Sequence, residues 1–280
     1  MSAMENETLP DVQNTFDERG VPIEQVGVTG LKYPIVVLDR NDGVQHVIAE
    51  IEMSVDLPQQ FKGTHMSRFV EVLNAHHGEL TMRTLPSVLS ELKERLDAAS
   101  ARIDVCFSYF LEREAPVSRS RALMDYSCRF NAESNGTNDD FMLSVVVPVT
   151  SLCPCSKEIS DYGAHNQRGH VTVEVRSGCD DQGHPETIWI EELVEFVEQS
   201  ASAPLYPLLK RPDERFVTMQ AYDNPAFVED LVRNVAVRLK QDERVEWFRV
   251  HALNFESIHN HNAFARVTWR RVPTGMEDSA

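Results

Sequence analysis

Residues 26–58 read VGVTGLKYPIVVLDRNDGVQHVIAEIEMSVDLP, two β-rich runs separated by Asn-Asp-Gly at positions 41–43. An Asp-Gly pair between two such runs is a strong signal for a tight hairpin, because glycine readily adopts the positive φ that the turn requires. We therefore predict antiparallel strands over residues 26–40 and 44–58. The rest of the chain can be divided by working outward from this hairpin.

Two helices and a second pair of strands are predicted to follow the hairpin. The run THMSRFVEVLNAHHG, residues 64–78, has a threonine start, apolar residues near the helical period and a closing glycine. The run LPSVLSELKERLDAA, residues 85–99, is typical of a second helix. Residues 101–114 and 120–133 are typical of strands, so the first half predicts the order β-β-α-α-β-β.

The second half repeats this order in outline. We predict strands over residues 140–154, 170–178, 247–259 and 263–272. Helices are predicted over residues 189–202 and 225–241, the second with Asn224 as its cap and Pro225 at its first position. A pattern of hairpin, helices and hairpin that occurs twice predicts an α+β protein whose antiparallel sheets carry helices on one face.

The pattern also divides the chain into segments. We expect a disordered N-terminal segment over residues 1–25, a first module over 26–138, a second module over 139–273 and a tail over 274–280. The second module carries most of the candidate site residues. Because such sheets have open edges unless they join into a barrel, we expect chains to assemble and close them.

Composition and charge exclude some classes of function. The chain has 280 residues and a net charge of −17, which argues against a nucleic-acid partner because nonspecific binding needs a basic face. No apolar run approaches the roughly 20 residues that span a membrane, so no membrane partner is expected. The acidic N-terminus lacks the basic start and apolar stretch of a secretory signal, and the expected location is cytoplasmic.

The five cysteines fall into two groups. They lie at positions 106, 128, 153, 155 and 179. Cys106 and Cys128 are in apolar strand-like runs and are expected to be inert buried thiols, while Cys179 lies in a turn and is incidental. An odd number without regular spacing does not indicate a disulfide framework. The remaining pair, Cys153 and Cys155, needs another explanation.

Cys153 and Cys155 belong to SLCPCSKEISDYGAHNQRGH, residues 151–170. A disulfide across Cys-Pro-Cys would be strained, and the spacing is shorter than in common structural zinc pairs. We interpret one thiol as a metal ligand and the other as facing a substrate. His165 can reach the same metal as a cysteine that precedes the loop, whereas His170 is expected to be an ordinary strand residue.

A second polar cluster is NFESIHNHNAF, residues 254–264, with Glu256, His259 and His261. On a strand, Glu256 and His259 would face opposite sides, but a turn starting near Ser257 would let them converge. Imidazole and thiolate together with a carboxylate suit Zn²⁺, Fe²⁺ or Mn²⁺. The alternative is a hydrophilic hairpin tip that binds nothing.

Two further places could bind charged groups. PLYPLLKRPDERFV, residues 204–217, holds five charged residues within six positions and is either a solvated loop or a phosphate or metal loop. Glu229 borders an apolar stripe on the predicted helix over 225–241. It is either a surface carboxylate or the anchor of a guanidine-like base edge through paired hydrogen bonds.

Four runs together resemble the type IB GTP cyclohydrolase I family. They are PVTSLCPCSKEISDYGAHNQRGHV (148–171), GTHMSRF (63–69), PLYPLLKRPDER (204–215) and NFESIHNHNAFA (254–265). The resemblance covers roughly residues 26–272, and the Cys-Pro-Cys segment is its most specific part. It implies the tunnelling fold, with two tandem modules in each chain, β-barrels completed by oligomerisation, commonly as a homotetramer, and active sites at subunit interfaces.

The resemblance also implies a reaction. GTP and water give 7,8-dihydroneopterin triphosphate and formate, the first step of tetrahydrofolate biosynthesis and a supply for 7-deazaguanine tRNA modification. The implied cofactor is a divalent metal ion, zinc or manganese, with iron as a further possibility.

Roles for individual residues follow from the same resemblance. The implied metal neighbourhood is Cys153, His165, Glu214, Glu256 and His259. Cys155 is implied as the thiol that contacts the reacting purine, beside Cys153 and His165 as catalytic residues, and Glu229 as the carboxylate that anchors guanine. Candidates for binding the triphosphate are Lys157, His65 and Arg68, with Lys62, Lys210 and Arg211 as further cations.

Three alternatives stay open from sequence. The first is the archaeal relative of this family, which prefers Fe²⁺ and releases a cyclic phosphate. The second is a non-catalytic assembly module that a metal stabilises. The third is a thiol redox protein built on Cys153 and Cys155, which the intervening proline disfavours.

Overall fold

The computed structural model describes residues 10–76, 78–136, 139–181 and 184–272. Within these ranges the chain forms nine strands and six helices. The strands are β1 (Ile23–Asp39), β2 (Gly43–Leu57), β3 (Ala101–Glu114), β4 (Arg121–Ser134), β5 (Asp139–Leu152), β6 (Asn166–Ser177), β7 (Ala203–Pro204), β8 (Val245–Asn254) and β9 (Ala263–Arg270). The helices are α1 (Met66–Ala75), α2 (Leu85–Leu96), α3 (Pro154–Ile159), α4 (Ile190–Glu198), α5 (Arg211–Asp223) and α6 (Val228–Gln241).

All the described strands belong to one antiparallel sheet. Its order is β1-β2-β3-β4-β5-β6-β8-β9, and the short β7 pairs with β5. The hairpin predicted around residues 41–43 is confirmed, since Asp39 pairs with Gly43 and Gly43 has a φ of +82°. The predicted α+β class with antiparallel pairing is confirmed as well.

The core lies between the sheet and the helices. Side chains alternate across each strand, so that Ile51 and Met53 of β2 are fully buried while Glu50 and Glu52, which alternate with them, are exposed. The helices meet the buried face with residues such as Phe69 of α1, which is also fully buried. Removing each such side chain from water contributes about 2 kcal/mol, which explains why the helices cover this face.

Several predicted boundaries are wrong, and the local capping chemistry explains why. The run 204–217, taken from sequence as a loop, contains the start of α5, where Pro212 occupies the first turn. The helix α6 begins at Val228 rather than Pro225, because the Asp230 carboxylate accepts a hydrogen bond from the Phe227 N–H at 3.0 Å. The strand β8 ends at Asn254, five residues before the predicted end.

The N-terminal segment differs in part from the expected disorder. Residues 1–9 lie outside the described residues, but residues 13–17 run beside residues 60–63. Gly63 N donates to Gln13 O and Lys62 N donates to Thr15 O, both at 3.1 Å. These backbone hydrogen bonds dock the segment in front of α1.

The division into two modules stays a prediction. The boundary between residues 138 and 139 falls in the connection from β4 to β5, and these two strands pair directly with each other. The tail over 274–280 lies outside the described residues. Among the helices of the described ranges, each is too short or too polar to cross a bilayer.

Candidate active site

The two cysteines of Cys-Pro-Cys occupy different environments at the end of β5. Cys153 is the N-cap of α3, and its Sγ accepts a hydrogen bond from Ser156 N at 3.3 Å. Pro154 suits the first helical position, where no N–H is needed, so the sequence itself starts a helix at this point. Cys153 is half-buried and Cys155 is exposed, and both are free thiols. The pair therefore diverges, as expected from sequence.

His165 returns to Cys153 through backbone contacts. Cys153 N donates to His165 O at 3.1 Å, and His165 N donates to Ser156 Oγ at 3.2 Å. These bonds close the loop between α3 and β6 and hold the backbone of His165 against that of Cys153. Nδ1 of the His165 ring lies 2.9 Å from Gln167 Oε1.

The loop that follows β8 brings the second polar cluster to the same place. Phe255 N donates to Arg168 O at 2.9 Å, which ties the start of this loop to β6. The His259 ring lies edge-on to the His165 ring with centroids 6.4 Å apart, and the His261 ring stacks on His259 at 5.1 Å. Glu256, three residues before His259 in sequence, is half-buried. The chain bends from Ser257 onward.

His170 is a strand residue, as predicted. It lies in β6 between Pro148 and Leu253 on the neighbouring strands, and its ring packs edge-on against Phe255 at 5.0 Å. Burial lowers the pKa of His170, which favours the neutral ring. The His170 ring therefore packs against the first residue of the loop that follows β8.

A buried polar layer beneath the cysteines was missed from sequence. Asn254 Nδ2 donates to Ser151 Oγ at 3.0 Å, and Ser151 Oγ donates to Ala226 O at 2.9 Å. Ala226 N in turn donates to Leu152 O at 3.0 Å. The only sequence signal for this layer is that polar residues flank the site motifs. Its effect is to hold the start of α6, and with it the exposed Glu229, close to the Cys-Pro-Cys turn.

Gly169 permits the close approach of β6 to Asn254. A Cβ at this position would lie 2.5 Å from Asn254 Oδ1, closer than side-chain carbons are found to other atoms. Asn254 is 2% exposed. A larger residue at 169 would therefore displace the loop that carries Glu256 and His259.

Lys157 is already engaged within the chain. Its Nζ donates to Tyr222 O at 2.5 Å and lies over the Tyr222 ring, 4.3 Å from the centroid. This contact joins α3 to the C-terminal end of α5. A role for Lys157 in phosphate binding would require it to leave or share this partner.

The first turn of α5 is anchored by Asp213, a residue that sequence reasoning gave no separate role. Its Oδ1 accepts hydrogen bonds from Val117 N and Ser118 N at 2.8 Å, and its Oδ2 accepts one from Lys210 N at 2.8 Å. These N–H donors hold the pKa of Asp213 well below its usual range, although burial opposes them. The anchor fixes the turn on which the neighbouring Glu214 lies.

Comparison with known proteins bears on this site. A model of the Type I GTP cyclohydrolase FolE2 family matches residues 9–265, a range that contains every candidate site residue. A curated GTP cyclohydrolase FolE2 from Nitrosococcus oceani is 54% identical over 92% of this chain and 94% of its own. One from Syntrophus aciditrophicus is 54% identical over 92% of this chain and 98% of its own.

The chain belongs to the Type I GTP cyclohydrolase FolE2 family. The family expected from the Cys-Pro-Cys segment and its three companion runs is thereby confirmed. Solved structures agree with the expected fold. Uricase from Arthrobacter globiformis has a TM-score of 0.51 at 12% identity and covers 91% of this chain and 96% of its own. Urate oxidase from Bacillus subtilis has a TM-score of 0.52 at 8% identity, with 89% and 99% covered. At these identities the likeness shows the fold alone, which is the tunnelling fold.

The residues of this FolE2-family chain fit a divalent metal ion in donor type. Cys153, His165 and His259 supply a thiol and two imidazoles from neighbouring loops, a combination that suits zinc and its neighbours. Two imidazoles on one tetrahedral ion have ring centroids roughly 5 Å apart, for a Zn–N distance of about 2.1 Å. The 6.4 Å between the His165 and His259 rings exceeds that value, so the two loops would have to move closer for both rings to share one ion. Within the described ranges, no three His, Cys, Asp or Glu side chains are close enough to hold an ion together.

His65 and Arg68 are not brought to this place within one chain. Glu214 lies exposed in the first turn of α5. His65 is the N-cap of α1 with Nε2 3.3 Å from Asp11 Oδ1, and Arg68 donates from Nη1 to Arg95 O at 2.6 Å.

The position of α1 in the sheet explains this separation. The helix packs on α2 and on the edge strand β1, whereas the site loops leave β5, β6 and β8. The sheet order puts β1 five strand steps from β6. At about 4.8 Å per step this is on the order of 24 Å along the sheet.

Proposed function

We propose that this chain is a GTP cyclohydrolase I, which converts GTP and water into 7,8-dihydroneopterin triphosphate and formate. The product begins tetrahydrofolate biosynthesis and also supplies 7-deazaguanine tRNA modification. The family match over residues 9–265 carries the proposal. The thiol and imidazole side chains near the end of β5 give the proposal chemical support.

The exposed thiol and the carboxylate on α6 recognise the base. Opening the imidazole ring of guanine requires water to add at C8. We assign Cys155, an exposed thiol in the first turn of α3, to face that carbon. The Glu229 carboxylate accepts hydrogen bonds from N1–H and the 2-amino group of guanine, a paired arrangement that fixes the base. The hydrogen bonds of Ser151 with Ala226 and Asn254 tie the start of α6, which carries Glu229, to the end of β5, which leads into the cysteine turn.

A histidine of this site that is not bound to metal moves protons as the ring opens. The purine nitrogens gain and lose protons as water adds and the C8–N9 bond breaks, and an imidazole is suited to both transfers near neutral pH. The backbone of His165, a proposed metal ligand, is held by Ser156 and Cys153.

A divalent metal ion, zinc or manganese with iron possible, completes the proposal. Its ligands would come from Cys153, His165, Glu214, Glu256 and His259. When bound, such an ion lowers the pKa of a water molecule and so supplies a nucleophile at neutral pH.

A second copy of the chain supplies the triphosphate cations. His65 and Arg68, remote from the cysteine loops in their own chain, meet those of a neighbour in a homo-oligomer, which we propose to be a tetramer. Assembly would also pair the free edges of β1 and β9, the two ends of the sheet order.

A turnover assay tests the proposal. The purified protein is stripped of metal, supplied with Mn²⁺, Zn²⁺ or Fe²⁺ separately and given GTP, while formate and the pterin product are followed together. Formate with a neopterin triphosphate is the expected result. Formate with a cyclic phosphate would replace the proposal by the archaeal-type reaction. A folded, assembled protein that releases no formate with any metal would instead be a metal-stabilised assembly module.

A further inference from the structure

Gln167 is a buried polar residue beside the site to which the proposed function gives no chemical role. It is the second residue of β6 and is 8% exposed. The strand pairs with β5, where Gln167 lies opposite Ser151, and its pairing with β8 begins two residues later at Gly169. A side chain rooted in such a strand has little freedom to move. Its Oε1 lies 2.9 Å from His165 Nδ1.

This hydrogen bond determines which nitrogen of the ring carries the proton. An amide oxygen only accepts hydrogen bonds, so Nδ1 must donate and the neutral ring keeps its lone pair on Nε2. A metal ion binds the nitrogen that carries no proton. The two other hydrogen bonds of His165, to Ser156 Oγ and from Cys153 N, involve its backbone and leave the ring free to rotate.

We propose that Gln167 is a positioning residue that fixes the tautomer and rotation of the His165 ring and thereby sets the affinity of the site for divalent metal. The inference rests on the proposed function, in which His165 is a ligand. Metal-bound histidines generally donate their other ring N–H to an acceptor of this kind, and loss of that acceptor weakens metal binding by about 10- to 100-fold. The buried position matters because water cannot readily replace the amide oxygen.

Metal affinity of the full-length protein tests the inference without turnover. Zn²⁺ is titrated into metal-free protein in competition with a chromophoric chelator, for wild type, Gln167→Met, Gln167→Glu and His165→Ala. Gln167→Met keeps the length of the side chain but removes the acceptor, and we expect a loss of about 10- to 100-fold in affinity. Gln167→Glu keeps an acceptor at the same reach, and we expect affinity at least equal to that of the wild type.

Spectra and folding controls separate positioning from a general loss of structure. The Co²⁺-loaded Gln167→Glu protein should keep the visible absorption bands of the wild type, whereas Gln167→Met should shift or weaken them. Circular dichroism and thermal midpoints of the metal-free variants check the fold. Should Gln167→Met not fold, Gln167→Asn takes its place, because the shorter amide cannot reach Nδ1 from the same backbone position.

The outcomes distinguish this inference from the proposed function. Wild-type affinity in Gln167→Met, together with weak binding in His165→Ala, overturns the role of Gln167 and leaves the site intact. Equally weak binding in Gln167→Glu and Gln167→Met overturns the tautomer assignment, because an acceptor would then be insufficient. Wild-type affinity in His165→Ala would remove His165 from the metal site. It would overturn both the role of Gln167 and the ligand set given under the proposed function.

Discussion

At the scale of single residues, the two thiols of Cys-Pro-Cys differ because one caps a helix and the other does not. The Cys153 sulfur receives the Ser156 N–H and lies half-buried beside the His165 backbone, whereas Cys155 projects from the first turn of α3. The environments therefore support a metal role for Cys153 and a substrate role for Cys155.

Replacing each thiol separately tests this division of roles. Cys153→Ala should lower metal occupancy, measured by metal analysis after dialysis, and activity should fall with it. Cys155→Ala should keep its metal and lose turnover, measured as formate release. Cys179→Ala, which removes an exposed thiol far along the chain, is the control and should behave as wild type. If both site variants retained full activity, the assignment of the pair would be wrong.

Glu229 and its neighbour Asp230 offer a matched pair on one helix turn. Glu229→Gln should weaken recognition of guanine by about 100-fold in kcat/KM, because a charged pair of hydrogen bonds becomes neutral and one partner is mismatched. Its thermal midpoint should stay unchanged, since Glu229 is exposed. Steady-state kinetics with GTP provide the measurement.

Asp230→Ala serves as the control for this prediction. It removes the carboxylate that accepts the Phe227 N–H and should cost about 1 kcal/mol of stability without a comparable loss of guanine recognition. The reverse pattern, with Glu229→Gln fully active and less stable, would make Glu229 a structural residue.

At the scale of elements, the turn from α6 to β8 is held by one charged cluster. Arg244 donates to Asp242 from Nε at 2.9 Å and from Nη2 at 2.6 Å, and Nη2 also lies 3.0 Å from Glu192 Oε2 of α4. Its Nη1 donates to Thr187 O at 2.9 Å. The Arg244 guanidinium lowers the pKa of Asp242 below its ordinary value. The cluster connects two helices on the covered face of the sheet.

Asp242→Asn should therefore destabilise the protein in a way that depends on pH. A carboxylate whose folded pKa lies below its unfolded value contributes stability above the unfolded pKa, and this contribution is lost as pH falls through the folded pKa. We expect a loss of about 2 kcal/mol at pH 7 from the weakened charged hydrogen bonds. The difference in the free energy of unfolding between Asp242→Asn and wild type should shrink toward zero as pH falls below ~3.8. Urea unfolding across this range measures it, and a difference independent of pH would contradict the argument.

Strands were predictable from sequence where turn chemistry is explicit, and helices were missed where capping is unusual. The hairpin around Gly43 follows from an Asp-Gly pair between β-rich runs. The helices α3 and α5 both have a proline in the first turn, and this signal is present in the sequence. The two helices were not predicted because both runs were interpreted as loops of a site. The anchor that makes α5 a helix, Asp213 against Val117 and Ser118, joins positions about 95 apart in sequence, which local patterns cannot reveal.

The candidate site shows the same limit. The motif residues Cys153, His165 and His259 were found from residue type and resemblance. The structure bonds the His165 backbone to that of Cys153 and puts the His259 ring 6.4 Å from the His165 ring. Gln167 and Asn254 were not found, because their importance depends on a strand register that pairs β6 with both β5 and β8. Supporting residues of this kind carry no distinctive spacing, so they become visible only once the sheet is built.

At the scale of the whole molecule, the proposed function needs more than one chain. The thiols, His165, His259 and Glu229 lie around the ends of β5, β6 and β8, while His65 and Arg68 lie at the start of α1, which packs on α2 and the edge strand β1. A sheet with two open edges invites pairing between copies, which would place the first half of one chain beside the second half of another. We therefore propose that the assembly shares its active sites between chains.

Complementation between two inactive chains tests sharing directly. We expect Cys155→Ala and Arg68→Ala to be nearly inactive alone but to recover activity when co-expressed in equal amounts. A shared site is intact when an Arg68→Ala chain supplies the cysteine loop and a Cys155→Ala chain supplies α1, which occurs in about a quarter of sites by random assembly.

Cys155→Ala with Glu229→Gln is the matched control, because both changes fall in the half that supplies the cysteine loop and no mixed site can be intact. Recovery in the control as well would point to exchange or contamination, and failure of the first pair to recover would place the whole site within one chain. Since Arg68 is bonded to Arg95 O in its own chain, the recovered activity would also show that this contact leaves the side chain available to a neighbour's substrate.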